Sequence, residues 1–355
     1  MANIQVTHST SPVNARSESC IAVNPLNSTQ IVACSKEFRN LSGFNNYNFT
    51  LAAYYSSDGG ITWSDSQALI PLKGWGGVTD PSLAWDNQGN VYLLALPVAF
   101  TPPPVASIGM SVYKSTDGGK SWGTPKLIHQ SAGDDKQWIA GDPNNGNLYA
   151  VWDDNSLLRF SRSLDQGATW PGVQNEAGPS ILYDNCYSPE VNLAPNGDVY
   201  IFFSDDDDIR FVKSTDGGNT FSDPTAANAL IASGVGNLED VFATGALGVN
   251  HFPGATFRVE TLVTGCCPTA NNIVVAWPDA RGTNKDGQAV SRILYNRSVD
   301  GGASWVGVMP LQPENNIPEN SQQFCPQITS TKKGTVGCTF YEFGPHRANN
   351  KNLIH

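Results

Sequence analysis

Five octapeptides in this chain are variants of one turn, and their recurrence limits the fold more than any other feature. They read Ser56-Ser57-Asp58-Gly59-Gly60-Ile61-Thr62-Trp63, Ser115-Thr116-Asp117-Gly118-Gly119-Lys120-Ser121-Trp122, Ser163-Leu164-Asp165-Gln166-Gly167-Ala168-Thr169-Trp170, Ser214-Thr215-Asp216-Gly217-Gly218-Asn219-Thr220-Phe221 and Ser298-Val299-Asp300-Gly301-Gly302-Ala303-Ser304-Trp305. The common form is Ser-x-Asp-x-Gly-x-(Ser/Thr)-aromatic. Self-similarity of this kind marks an array of supersecondary units, each burying its apolar face against a neighbour.

The residue types indicate how the turn closes. Asp is expected to fold its carboxylate onto backbone N–H groups two or three residues on, as in an Asx turn. Gly supplies positive φ without steric cost. The hydroxyls tie the ends of the turn, and the aromatic ring folds back onto a sheet. Each copy follows a strand-like run, such as Leu51–Tyr55 or Ile209–Lys213. The five aspartates therefore read as staples rather than as ligand-binding groups.

A hairpin precedes each turn. The pairs are Ser19–Val23 with Gln30–Ser35, Pro81–Trp85 with Asn90–Leu96, Gln137–Gly141 with Asn147–Trp152, and Pro189–Leu193 with Asp198–Phe203. Phe257–Thr264 with Asn272–Trp277 follows an insertion at about residues 233–256. A sixth hairpin, Pro326–Ser330 with Thr335–Tyr341, has no such turn after it. Four strands per repeat predict an all-β fold, a six-bladed β-propeller of antiparallel blades filling residues 1–355 as one domain. Ile4–His8 is expected to complete the sixth blade, with seven blades if the chain is truncated.

Composition agrees and sets limits. The 34 glycines and 23 prolines, spread along the chain, suit many turns and short strands. A net charge of −11 argues against a nucleic-acid partner. No apolar run reaches the roughly 18 residues of a membrane helix; the longest, Val91–Phe100, is interrupted by Pro97. No signal peptide is visible at Met1–Ile4, although an extracellular or periplasmic location fits the expected substrate. A monomer is expected. The seven cysteines are an odd number. Cys20 and Cys34, and likewise Cys325 and Cys338, are expected to face each other across hairpins, as disulfides or as buried thiols.

The turns resemble the Asp-box (BNR) repeat of sialidase-like β-propellers, and the resemblance covers most of the chain. It implies a carbohydrate-active protein, foremost an exo-acting glycoside hydrolase that removes an anionic or terminal sugar from a glycan. In that architecture the loops leading into first strands and those joining second to third strands share one face, opposite the turns. Such loops carry Arg16, Glu18, Trp75, Asp80, Asp135, Lys136, Trp138, Tyr187 and Glu190 on one side. On the other they carry acids at a recurring position, Glu37, Asp153, Asp205, Asp279 and Glu342, with Arg39, Arg281, His346 and Arg347 nearby.

Sialidases of this fold hold a substrate carboxylate with three arginines and use a Tyr–Glu nucleophile pair and an acid/base Asp. The resemblance implies the arginine role for Arg16, Arg281 and Arg347, since guanidinium grips a carboxylate bidentately. It implies the nucleophile role for Tyr341 with Glu342, or Tyr187 with Glu190. The family's Arg-Ile-Pro signature is absent, because Ser17-Glu18 follows Arg16. Other chemistries stay open on this scaffold. A hydrolase using two carboxylates would draw on Glu18, Asp80, Glu190 or Asp279. A lyase acting on a uronate-containing polysaccharide would take His346 or His251 as base. A lectin would use Trp75, Trp138 and the tyrosines as platforms. No cofactor is required by these reactions. The run Asp205-Asp206-Asp207-Asp208 suits calcium through Asp205 and Asp207, with Arg210 as the alternative source of compensating charge.

Overall fold

The computed structural model describes residues 4–7, 16–41, 47–100, 106–238, 261–317, 321–345 and 352–354. Two compact units divide the chain, one of Met1–Asp184 with Gly218–Thr220, the other of Asn185–Gly217 with Phe221–His355. Each holds three antiparallel sheets in which strands follow one another in chain order.

In the first unit the sheets are β1 (Arg16–Val23), β2 (Ile31–Leu41), β3 (Tyr47–Ser56), β4 (Gln67–Ala68); β5 (Gly77–Trp85), β6 (Val91–Ala99), β7 (Ala106–Ser107), β8 (Met110–Ser115), β9 (Lys126–His129); and β10 (Asp134–Gly141), β11 (Leu148–Asp154), β12 (Leu157–Ser163), β13 (Ser180–Tyr183). The short β7 pairs off the main path with β6. The second strands β6 and β11 are buried almost throughout, which is why Val91–Leu96 and Leu148–Trp152 read as unbroken apolar runs. The second unit has β14 (Tyr187–Leu193), β15 (Val199–Asp205), β16 (Asp208–Ser214), β17 (Leu230–Ala232); β18 (Thr264–Cys266), β19 (Ile273–Thr283), β20 (Ala289–Ser298), β21 (Met309–Pro310); and β22 (Gln322–Ser330), β23 (Val336–Pro345), β24 (Asn352–Ile354). Its core is aromatic, with Tyr200, Phe202, Phe211 and Trp277 packed together.

The turns close as staples, with one difference from expectation. Asp58 reaches four residues ahead, accepting from Thr62 N at 2.9 Å and Thr62 Oγ1 at 2.5 Å, while Ser56 Oγ donates to it and accepts from Gly60 N. The same bonds recur at Asp117, Asp165 and Asp300. The second glycine of the motif has a separate duty. A Cβ on Gly119 would lie 2.5 Å from Val32 of the preceding sheet, and one on Gly302 would lie 2.6 Å from Phe211 of its preceding sheet. The position before it needs left-handed backbone but has room, so Gln166 is accommodated there at φ +60°.

A second repeated device was not anticipated. Five first strands carry the same β-bulge, two residues opposing one, between Ser17/Cys20, Thr79/Ser82, Asp135/Trp138, Tyr187/Glu190 and Phe324/Gln327. In each, the first of the two bulged residues has left-handed φ: Glu18 53°, Asp80 51°, Lys136 52°, Ser188 51° and Cys325 48°. None is glycine, so each bulge stores backbone strain, typically about 1 kcal/mol.

The bulge overturns one expectation. Cys20 does stand opposite Cys34, but the extra residue in β22 places Ile328, not Cys325, opposite Cys338. All seven cysteines are free thiols. The expected closing strand at Ile4–His8 is not found over residues 4–7, which are irregular; residue 8, like the insertion beyond 238 and most of the expected strand Phe257–Thr264, lies outside the described residues.

Candidate active site

In the first unit the turns and the bulges occupy opposite ends of the same strands. On β2, Ile31 pairs with Ser56 of a turn, whereas Glu37 pairs with Arg16 beside a bulge. On β11, Leu148 pairs with Ser163 and Asp154 with Asp134. Six rungs of strand, roughly 20 Å, separate the two ends. Polar chemistry gathers at the bulge end.

Register sorts the recurring acids into two kinds. Glu37, Asp154, Asp205 and Glu342 occupy equivalent rungs, and Asp279 follows Trp277 as Asp154 follows Trp152. Four of these five hold an arginine of their own sheet: Glu37–Arg16 at 3.3 Å, Asp154–Arg159 at 2.9 Å, Asp205–Arg210 at 2.6 Å and Asp279–Arg281 at 2.5 Å. Arg16 also donates to Tyr54 Oη, and Arg281 to the Ser233 carbonyl. Asp153 stands one rung away from this series and is a different kind of acid.

That kind is concentrated around β1, β5 and β10. Glu18 Oε2 accepts from Thr79 Oγ1 at 2.5 Å and from Asp80 N at 3.3 Å, and Glu18 Oε1 accepts from Lys36 Nζ at 2.9 Å. Thr79 Oγ1 is also 2.8 Å from Asp80 Oδ1. Its single proton serves one carboxyl at a time, so Asp80's own proton completes the network. Burial opposes charge on Glu18, yet the Asp80 carboxyl, Lys36 and Thr79 hold it at about 2. Asp80 goes the other way, raised well above the ordinary 3.8 by burial and by the Glu18 carboxylate. The two behave as one dyad, with the proton on Asp80. Asp153, buried and facing both Asp135 and Asp154, is raised to about 6. Gln137, two residues after Asp135, donates through Nε2 to the Asp80 carbonyl.

Beside this group lies a buried His–Asp arrangement that the sequence reading missed. His129 Nδ1 contacts both oxygens of Asp134 at 2.9 and 2.7 Å, and Trp152 Nε1 donates to Oδ1. Asp154 Oδ1 takes Ser131 Oγ at 2.6 Å. One ligand atom from each of His129, Asp134 and Asp154 lies within 4.8 Å of the others, a donor set of the kind that holds a divalent ion. Both carboxylates, however, already have partners.

The other expected site residues fall as follows. Trp75 packs against the core residues Leu51, Val78 and Tyr113 rather than standing clear as a platform. Trp138 opens the straight part of β10, opposite Val151. In the second unit Glu190 is fully buried and accepts from Gly265 N at 3.0 Å and Asn192 Nδ2 at 2.8 Å. Burial raises it to about 7 despite these donors. Tyr187, at 36% exposure, lies on the far side of the bulge from Glu190. Tyr341, at 53% exposure, stacks on Phe324, and Glu342 takes a bond from Gln323 Nε2. Asp205 and Asp208 share Arg210, which supplies the charge that a calcium ion would have brought to the acidic run, and Asp207 offers its carbonyl to Val235 N. The side chain of Arg39, and all of His251, His346 and Arg347, lie outside the described residues. Thr79, Gln137, His129 and Asp134 escaped sequence reasoning because nothing local distinguishes them; the recurring bulge, visible only in three dimensions, is what brings them together.

No protein-family model and no curated protein matches the chain. Solved structures do. The chain superposes on the NanB sialidase from Streptococcus pneumoniae with a TM-score of 0.59 at 11% identity, over 95% of this chain and 67% of that one. For the intramolecular trans-sialidase from Ruminococcus gnavus in complex with oseltamivir carboxylate, the TM-score is 0.56 at 11% identity, over 95% and 92% of the two chains. For the Hadza microbial sialidase Hz136 it is 0.55 at 14% identity, over 93% of this chain and 63% of that one, so the chain spans less than two thirds of Hz136. The fold is therefore that of the sialidase-like β-propellers, with the six antiparallel sheets as its blades.

Proposed function

We propose that this protein is a carbohydrate-active enzyme, a glycoside hydrolase that removes a terminal sugar from a glycan outside the cell or in the periplasm. The observation that carries this reading is the Glu18–Asp80 dyad, in which burial and the neighbouring carboxylate push Asp80 well above its ordinary range while Glu18 is held at about 2. Cleaving a glycosidic bond needs a carboxylic acid to protonate the leaving oxygen and a second carboxylate to stabilise or activate the attacking side. Asp80 is the acid. Glu18 and Thr79 hold its proton in place, and Asp135 and Asp153 supply the second carboxylate from the neighbouring sheet. Glu18 is too close to Asp80 to be that partner, since a sugar ring cannot fit between groups that share a proton. The sialidase-like fold of the neighbouring structures supports the substrate class.

The test is release of the reporter from a panel of nitrophenyl glycosides. Turnover of at least one, reduced about 10²-fold or more in Asp80→Asn, is the expected result. Glycan binding without turnover of any glycoside would point to a lectin. An ultraviolet-absorbing unsaturated uronate would point to a lyase.

A further inference from the structure

We propose that His129 is a further binding residue of this site, its Nε2 accepting a hydrogen bond from a sugar hydroxyl, with Asp134 as the positioning residue that keeps the ring's proton on Nδ1. The identity of the ligand rests on the glycoside hydrolase reading; the geometry of the histidine does not.

Three contacts fix the ring. His129 closes β9 opposite Met110, and Gly109 lies so near its carbonyl oxygen that a Cβ there would strike it. The imidazole leans on the Trp152 indole, with ring centroids 5.4 Å apart and planes at 49°. Its Nδ1 meets both oxygens of Asp134, at 2.9 and 2.7 Å. Asp134 is fixed in turn by Trp152 Nε1, 2.9 Å from Oδ1, and its side chain has no exposure. Burial raises the Asp134 carboxyl, and the His129 and Trp152 donors work the other way.

A carboxylate only accepts, so Nδ1 is the donor and the neutral ring presents its lone pair at Nε2. The same logic orients the histidine of a hydrolytic triad. Among the described residues Nε2 has no hydrogen-bond partner, and with the side chain 16% exposed it is not one of the sealed atoms. Fixing the proton on one nitrogen has its consequence at the other, and that other is unspent. The histidine adjoins the dyad through two consecutive residues: Asp134 holds it, and Asp135 acts on the Asp80 carboxyl. Asp154 is paired with Arg159 and takes Ser131 Oγ, so it does not compete for the ring. A hydroxyl at Nε2 is a donor meeting an acceptor, and a glycoside that reaches Asp80 brings several hydroxyls with it.

The experiment is nitrogen-15 NMR of the Asp80→Asn protein labelled at histidine, with His129 assigned by its loss in His129→Asn. Asparagine there keeps an N–H for Asp134 and lacks Nε2. The neutral ring is expected to carry its proton on Nδ1, and its Nε2 signal to move when a nitrophenyl glycoside of the panel is added. Asp134→Asn keeps the shape. Trp152 Nε1 retains Oδ1, so the new amide N–H takes the Oδ2 place, 2.7 Å from Nδ1, and sends the proton to Nε2. That variant and His129→Asn should each weaken glycoside binding about tenfold, with far-ultraviolet dichroism unchanged. A proton on Nε2 with Asp134 in place, an Nε2 signal that no glycoside moves or that zinc ion alone moves, or equal binding by His129→Asn would overturn the proposal. Turnover is measured alongside in the unaltered protein. Turnover with Nε2 unmoved would leave the hydrolase and sink the binding residue; Nε2 moved without turnover would do the reverse.

Discussion

Aspartates at the two ends of the blades show what a propeller does with one residue type. At the turn end each has donors reserved for it alone. Hydrogen bonds from the Thr62 hydroxyl and N–H hold Asp58 at about 2, and Ser304 does the same for Asp300. At the bulge end, acids lean on one another: Asp80 shares its proton with Glu18, and Asp153 faces Asp135. The first arrangement spends a carboxylate on geometry. The second leaves proton affinity unsatisfied, and unsatisfied proton affinity is what acid–base chemistry uses.

The comparison can be broken at either end, and the largest effect is expected at the dyad. Asp80→Asn should lower turnover by about 10²–10⁴-fold with thermal stability retained, because an amide removes the competition for one proton. If turnover survives and stability falls instead, Asp80 is a staple like Asp58. Next comes Gly302→Ala, where Cβ meets the Phe211 ring at 2.6 Å with φ at +89°. Clash and strain together should cost about 3 kcal/mol in denaturant unfolding, against about 1 kcal/mol for Gly59→Ala, which has open space. Equal costs would mean the second glycine serves only the turn.

Glu190 tests the same contrast through pH. Its folded form holds a proton up to about 7, whereas the ordinary group releases it near 4.5. Its contribution is therefore present in full below 4.5 and lost as pH rises through 7, by about 3 kcal/mol at most. Unfolding measured across that range should show the slope in the unaltered protein and a flatter one in Glu190→Gln. The smallest effect belongs to Asp117→Ala, which forfeits the bonds from Ser121. It should cost about 1 kcal/mol, as loss of a helix cap does, and leave turnover alone.

How much of this was legible follows from how local each determinant is. The octapeptide turns contain their own hydrogen bonds, so Ser56, Asp58 and Thr62 announce the structure from eight consecutive letters. The acids Glu18, Asp80, Asp135 and Asp153 are legible in the sequence as candidates at strand ends, although the structure holds them within β1, β5, β10 and β11 rather than on loops. What separates them from Glu37, Asp154 and Asp279 is register, and a one-residue bulge alters register without a letter to show for it. Glu18, Asp80, Lys136, Ser188 and Cys325 have nothing in common as residues, yet all adopt the same left-handed conformation. The pairing of Arg16 with Glu37 and of Arg281 with Asp279 was likewise hidden, since an arginine near a site reads the same whether it is held or offered.

The bulge also separates two clocks of evolutionary change. Beyond it each bulged strand pairs residue for residue with its neighbour, so a substitution there must fit a fixed position. Ahead of it the extra residue resets the phase, and side chains at the rim are released from the alternation that governs the rest of the strand. A lineage can therefore rewrite the chemistry at the rim, acid to lysine to serine, one blade at a time, while the stack beneath goes on folding as before.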